Sequence, residues 1–396
     1  MLKKLIVSDL DIAGQRVFLR ADLNVPLNKE GQIADETRIL ASLETIEYLL
    51  KEGAKLILAS HLGRPKGKVV PEMSLRPVAQ SLSYHLGKQL IMAPDCIGDE
   101  VQQLAENLAE GELLLLENLR FHPGETANEP EFSRQLASLS KIYVNDAFGT
   151  AHRTHASTVG ITHFVESSAA GFLMAREIEY LGGALSNPGR PFTALLGGVK
   201  VSTKIGVLEN LLDKVDNLLI GGAMAFTFLK AKGLEVGKSL VEEDKLDVAE
   251  KIYQRSQSQR LKLILPSDFI VAERLEPNVS YKRVEASEIP KDWVGVDIGA
   301  KTIKTFSSIL QSSETIIWNG PMGVFEIEPF SRGTREIAQI LAQCKGRSIV
   351  GGGDSVAAIY QAGVADKISH ISTGGGASLE FLAGKSLPAI EALSTK

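Results

Sequence analysis

Short, continuous apolar runs recur along this chain, each breaking into a polar or glycine-containing loop. In the first half they are Val17-Phe18-Leu19, Lys55 to Ala59, Leu113 to Leu116 and Ile142-Tyr143-Val144. They are too short and too uniform for surface helices, and they suit parallel strands buried on both faces. Between them, Thr37 to Lys51, Ser74 to Leu86 and Asp99 to Ala109 place apolar residues three or four apart, the period of a helix with one buried face. The second half repeats the scheme with Phe192 to Leu196, Leu218 to Ile220, Lys262 to Leu265, Thr315 to Ile317, Ser348 to Val350 and His370 to Thr373. The alternation predicts an α/β protein made of two doubly wound, Rossmann-like parallel-sheet domains.

The stretch Ala169 to Pro191 divides the halves and reads as a connecting helix. Phe172, Ala175, Ile178 and Glu179 with Leu181 give a partly apolar face, and Gly182-Gly183 followed by Asn187-Pro188-Gly189 supplies stop signals, so the helix is expected to end at a flexible joint. The domains are thus expected at 1–168 and 191–384, with hinge helix and linker at 169–190. At 396 residues the chain exceeds the size at which a single core stops growing, which agrees with two domains.

Composition narrows the function. A formal charge of -5 argues against nucleic acid as the main partner, and 44% hydrophobic with 23% charged residues is ordinary for a globular chain. Cys96 and Cys344 lie in opposite halves without metal-ligand spacing, so they read as two buried thiols rather than a disulfide or zinc site. Only three apolar residues follow Lys3-Lys4 before Ser8-Asp9, so no secretory segment is expected, and no run approaches the ~20 apolar residues of a membrane span. A cytosolic or organelle-stroma enzyme fits this composition.

In doubly wound sheets ligands bind beyond the carboxyl ends of the strands. In the first half those positions are Arg20 to Pro26, Ser60 to Pro65, Glu117 to His122 and Asn145 to Ser157, with Arg38 opening the helix after the first loop. One arginine alone reads as a surface charge. Arg38, Arg64, Arg120 and Arg153 with His61 would all be gathered by one sheet, and planar bidentate donors suit a small anion carrying carboxylate and phosphate. His152 and His155 fit either that site or a polar core position.

In the second half the runs meet Gly197-Gly198, Gly221-Gly222, Gly320, Gly351-Gly352-Gly353 and Gly374-Gly375-Gly376. Glycine there lets backbone N–H groups approach phosphate at the positive end of a helix, although one doublet by itself is better explained by a tight turn. Lys200, Lys204 and Asp354 add counter-charge and a hard oxygen ligand for magnesium. Two decoys fail on spacing: Gly233 to Ser239 has three residues between its glycines where a P-loop requires four, and Leu379 stands where the first glycine before Gly384-Lys385-Ser386 should be. The glycine clusters also miss the dinucleotide fingerprint, since Val356 occupies its last glycine position, which weakens a dehydrogenase reading.

Taken together, the blocks Arg20 to Pro26, His61 to Pro65, Asn145 to Ser157, Trp318 to Glu326, Gly351 to Ser355 and Ser372 to Glu380 resemble the phosphoglycerate kinase family. The resemblance implies reversible phosphoryl transfer between ATP and 3-phosphoglycerate, with magnesium as cofactor, in a monomeric cytoplasmic enzyme with small-molecule partners only. It implies that Asp22, Leu23, Asn24, Arg38, His61, Leu62, Gly63, Arg64, Arg120 and Arg153 hold the phosphoglycerate. For the nucleotide it implies Gly198, Lys200, Lys204, Gly222, Gly295, Asn319, Val324, Glu326, Gly352, Gly353, Asp354, Ser355, Val356 and Gly374 to Gly376, with Asp354 holding the metal and Arg38 and Lys200 catalytic. The segment 385–396 resembles the family tail that returns to the first domain. Val199, Thr203, Ala300 and Ala389 depart from residues common in the family, and loss of an acid at Thr203 bears on pairing near Lys204.

Overall fold

The computed structural model describes residues 3–257 and 261–396. The chain folds into two compact units: Met1–Glu179 with Ser386–Lys396, and Tyr180–Lys385.

The first unit is built on six parallel strands, β1 (Arg16–Arg20), β2 (Lys55–Ala59), β3 (Ile91–Met92), β4 (Leu113–Leu115), β5 (Ile142–Asn145) and β6 (Ser167–Ala170), in the order β3-β4-β2-β1-β5-β6. Strand order reverses between β1 and β5, which pair in register from Val17 with Ile142 to Arg20 with Asn145. That switch point opens a crevice beyond their carboxyl ends. Val17, Leu19, Leu56, Leu58 and Val144 are buried on one face against the helix Thr37–Lys51 and the helix Arg76–Leu86, as a two-faced buried sheet requires.

The second unit carries β7 (Phe192–Leu196), β8 (Asn217–Ile220), β9 (Lys262–Ile264), β10 (Asp268–Ala272), β11 (Tyr281–Glu285), β12 (Val294–Ile298), β13 (Thr315–Asn319), β14 (Arg347–Gly351) and β15 (His370–Ile371). Six of these form a second parallel sheet, β15-β14-β13-β7-β8-β9, whose order reverses between β7 and β13. Both sheets are doubly wound, as the alternation of runs requires.

The structure departs from the sequence reading in several places. β3 and β6 were not anticipated, because a two-residue edge strand is too short to stand out and Ser-Ser-Ala-Ala carries almost no apolar signal. An antiparallel sheet, β11-β10-β12, was also missed: β11 reads Tyr-Lys-Arg-Val-Glu and is largely exposed, so it mimics a loop. The connecting helix occupies Phe172–Ser186 and runs through Gly182-Gly183, which do not stop it. Its buried face is Leu173, Met174, Glu177, Leu181 and Ala184, whereas Glu179 is exposed and Ala169 and Ala170 belong to β6. Tertiary burial overrides the local cost of glycine. Cys96 is buried as expected, but Cys344 is only half-buried, its Sγ against the Ile340 carbonyl oxygen at 3.3 Å.

The last residues lie within the first unit. Leu5 N–H donates to the Ser394 carbonyl at 2.9 Å, Ala389 N–H to the Ala151 carbonyl at 3.1 Å, and the Lys396 ammonium to Asp9 at 2.9 Å.

Candidate active site

The loops that follow β1, β2 and β4 are tied to one another by side chains acting on backbone. Ser60 Oγ accepts from Leu23 N–H at 2.9 Å, Asn24 Oδ1 accepts from Gly63 N–H at 2.8 Å, and Asn118 both accepts from Leu62 N–H and donates to the Leu62 carbonyl, at 3.2 and 2.8 Å. These bonds fix the backbone from which His61, Arg64 and Arg120 project, while Arg38 stands in the first turn of the helix Thr37–Lys51. Leu23 and Leu62 turn their own side chains into the core, so what they offer the site is backbone.

Asp22 accepts from Arg38 Nη1 at 2.5 Å, which aims that guanidinium. Arg120 donates through Nη1 to the Gly63 carbonyl at 2.8 Å, yet its Nε and Nη2 are buried with no hydrogen-bond partner. An unmatched buried donor costs about 1–3 kcal/mol, and more when charged. Arg64, Lys66, Arg120, Arg153 and His155 line a cavity of about 620 Å³ together with Gly67, Pro123 and Thr126. No carboxylate lines it, so its charge suits an anion. Burial first, then the neighbouring Arg120, Arg20 and Arg153, push the His155 imidazole down to about 4. Lys66 and His155 join Arg64, Arg120 and Arg153 there, whereas Arg38 and His61, named with them from sequence, do not line this cavity; His155, which had two readings, lines it with its Nδ1 3.7 Å from the buried Glu125.

One residue was overlooked. Arg20 ends β1 with no exposed surface, donating through Nε to Ser157 Oγ at 2.9 Å and through Nη2 to His61 Nδ1 at 2.9 Å. Ser157 Oγ in turn donates to the buried Glu125 at 2.7 Å, which supplies the negative charge at one remove. Because a guanidinium only donates, His61 must accept at Nδ1 and carry its proton on Nε2. Burial and the facing Arg20, Arg120, Arg38 and Arg153 hold His61 well below its ordinary pKa, so it is a neutral hydrogen-bond donor. The signal was present as an arginine inside an apolar strand, where a charge needs a reason.

In the second unit a cavity of about 260 Å³ opens at the β7/β13 switch point. Gly198, Gly222, Gly295, Val324, Glu326 and Asp354 line it, as do Phe226, Phe269, Leu275 and Met322, which were not singled out from sequence. Glycine is demanded at position 222, where φ is +61° and a Cβ would stand 2.5 Å from the Gly198 nitrogen. The wall is largely apolar, with the carboxylates of Asp297, Glu326 and Asp354 among its lining, and suits a flat heterocycle joined to a polyol.

The remaining residues named from sequence for the nucleotide do not line that cavity. Lys204 is almost fully buried beside Gly198; burial lowers its pKa while the Asp354 charge opposes the fall. Lys200 is exposed on the same loop, and Thr203 Oγ1 donates to its carbonyl at 2.9 Å. Asn319 ends β13 with its Nδ2 buried and unpartnered, next to Gly352 at the N-terminus of the helix Gly353–Gln361. Buried Ser355 accepts from Gly320 N–H at 2.6 Å, and Val356 N–H closes the first turn on the Gly352 carbonyl, so both are occupied in holding the backbone. Gly374 and Gly375 precede the helix Gly376–Leu382. The loops after β7, β13 and β14 therefore present glycine backbone, the lysines Lys200 and Lys204, the Asn319 amide and the carboxylates of Glu326 and Asp354 around a common edge.

Comparison with known proteins agrees with this arrangement. The family model for phosphoglycerate kinase matches residues 7–385. The chain is 57% identical over 390 residues to the cytosolic phosphoglycerate kinase of Triticum aestivum, covering 98% of this chain and 97% of that one. It is 55% identical over 403 residues to phosphoglycerate kinase of Koribacter versatilis, across the whole of both chains. The structure of phosphoglycerate kinase from Coxiella burnetii superposes with a TM-score of 0.91 at 43% identity, covering 98% of each chain. Two parallel sheets, an arginine-lined anion cavity and a glycine-edged cavity thus occur in a chain similar throughout to these enzymes, and the chain belongs to the phosphoglycerate kinase family.

Proposed function

We propose that the arginine-lined cavity of the first unit holds 3-phosphoglycerate and the glycine-edged cavity of the second holds the adenine nucleotide. The unpartnered Nε and Nη2 of Arg120, buried beside His61, are the observation that carries this reading. Arg38, Arg64, Arg120 and Arg153 take the phosphate and carboxylate, and His61 donates from Nε2. Phe226, Phe269 and Val324 enclose the base, Glu326 takes the ribose hydroxyls, and Lys204, Asn319 and the Gly352-Gly353 and Gly374 to Gly376 turns meet the phosphates.

Phosphoryl transfer needs alignment and charge stabilisation more than covalent help. The attacking carboxylate has a pKa near ~4 and is ionised at neutral pH, so no general base is required. Arg38 and Lys200 stabilise the oxygens of the transferring group during in-line displacement. The two cavities belong to different units, so the reactants meet by closure about the helix Phe172–Ser186.

Asp354, an exposed carboxylate in the first turn of the helix Gly353–Gln361, suits magnesium, which is held by one or two carboxylates plus substrate phosphates. Bound there, the ion would neutralise charge on the nucleotide phosphates. Among the described residues no helix is long and apolar enough to cross a membrane. We assign a monomer acting in the cytoplasm on small molecules, without nucleic acid.

The test is ADP formation from magnesium-ATP with and without 3-phosphoglycerate. Turnover should require the acid, collapse in Lys200→Ala, and in Arg38→Ala fall about 100-fold or more in kcat with a smaller change in KM. ATP binding without acid-dependent turnover would overturn the reading.

A further inference from the structure

The mechanism makes no use of Asp297, a carboxylate that is 3% exposed and sits two residues beyond Gly295 on β12. Burial pushes it up to about 7 in spite of its two backbone donors, Gly333 N–H to Oδ2 at 2.6 Å and Ile298 N–H to Oδ1 at 2.9 Å. Arg332 and Glu336, the charged groups nearest to it, are paired with each other at 2.6 Å. A buried acid is costly, and β12 would pair with β10 through backbone alone.

The geometry supplies a reason. The loop Gly320 to Glu326, one wall of the nucleotide cavity, is pinned on both sides: Val324 N–H donates to the Val296 carbonyl at 2.8 Å, and Met322 N–H to Thr334 Oγ1 at 3.0 Å. Between those pins lies Gly323. A Cβ built there would stand 2.3 Å from Asp297 Oδ1, and one built on Gly333, in the first turn of the helix Arg332–Leu341, would meet the same oxygen at 2.3 Å. The carboxylate is therefore closed between two backbones with no slack.

We propose that Asp297 is a positioning residue for the nucleotide: wedged between Gly323 and Gly333, it sets where Val324 and Glu326 stand along the cavity wall. This rests on the reading of that cavity as the nucleotide site. Moving Asp297 displaces the loop that touches base and ribose, whereas the arginine cavity belongs to the other unit and should not respond.

Asp297→Asn keeps the size but turns an NH2 group toward a backbone N–H. Its KM for magnesium-ATP should rise about tenfold while the KM for 3-phosphoglycerate stays within about twofold, in protein whose thermal midpoint remains above the assay temperature. Gly323→Ala attacks the same contact from the loop and should give the same split, and it stands as the test if Asp297→Asn does not fold. Combining Gly323→Ala with Asp297→Ala should recover nucleotide affinity relative to Gly323→Ala alone, since removing the wedge makes room for the methyl group. Unchanged ATP KM in both single variants, equal changes in both KM values, or strictly additive losses would each overturn the proposal. Ala223→Trp, which fills the cavity, separates the two claims. If it leaves the ATP KM unchanged, the nucleotide site is misassigned; if it blocks ATP while the Asp297 and Gly323 variants are silent, only the positioning role falls.

Discussion

Arg20 shows how much of a site depends on a residue that need not touch the ligand. Its guanidinium is sealed in the core, and the fixed direction of its N–H groups leaves His61 one tautomer, with Nε2–H as the free donor. Arg20→Met, which leaves His61 Nδ1 without its donor, should release that tautomer. In 15N-labelled protein the two imidazole nitrogens of His61 should move from well-separated shifts toward averaging, and 3-phosphoglycerate affinity should fall about tenfold or more. A His61 spectrum identical to wild type in a folded Arg20→Met protein would remove the positioning role. At this scale the sequence was informative for exposed chemistry: arginines after strands stood out because the polar loops hold little else. It marked Arg20 only as a charge inside an apolar strand, and it was silent on Phe226 and Phe269, whose roles come from neighbours distant in sequence, and on Asp297, whose contacts at Gly323 and Gly333 are 26 and 36 positions away.

Among elements, the buried strands were legible because burial on both faces leaves an unbroken apolar run, as in Phe192–Leu196 and Thr315–Asn319, where every residue is buried. Helix ends were less so. Gly182-Gly183 reads as a stop by local propensity, yet the helix continues to Ser186 with Leu181 and Ala184 buried on its face. What the local pattern could not reveal was the start of that helix, which is held from another strand: Asp146, just past β5, accepts from Met174 N–H at 2.9 Å, with Gly171 packed against it. Burial pushes the Asp146 carboxyl up to about 6 despite those helix N–H groups. The folded state then binds a proton over the interval between the unfolded value of 3.8 and about 6. Through this group stability falls as pH rises across that interval and is flat above it. Comparing urea unfolding of wild type and Asp146→Asn at pH 4.5 and pH 7, the difference between the two proteins should shift by about 2 kcal/mol against wild type at the higher pH. Parallel stability curves would show that Asp146 does not titrate in the window.

For the whole molecule, the chain passes from one unit to the other twice, once within the helix Phe172–Ser186 and again near Lys385 and Ser386, and its last residues hydrogen-bond to Leu5, Ala151 and Ser168 of the first unit. Each unit thus keeps its own sheet, its own switch point and its own cavity, and neither cavity holds the groups expected at the other. An acyl phosphate and an ADP oxygen react only within about 3–3.5 Å of each other. Water at the same distance would compete for the phosphoryl group, so bringing the cavities together only when both are filled serves rate and fidelity at once. Small-angle scattering should therefore show a smaller radius of gyration with magnesium-ADP and 3-phosphoglycerate present together than with either alone, and Lys200→Ala, which alters charge rather than the joint, should still compact. A radius unchanged by the pair of ligands, in protein that turns over under the same conditions, would rule out closure as the step that unites the two sites.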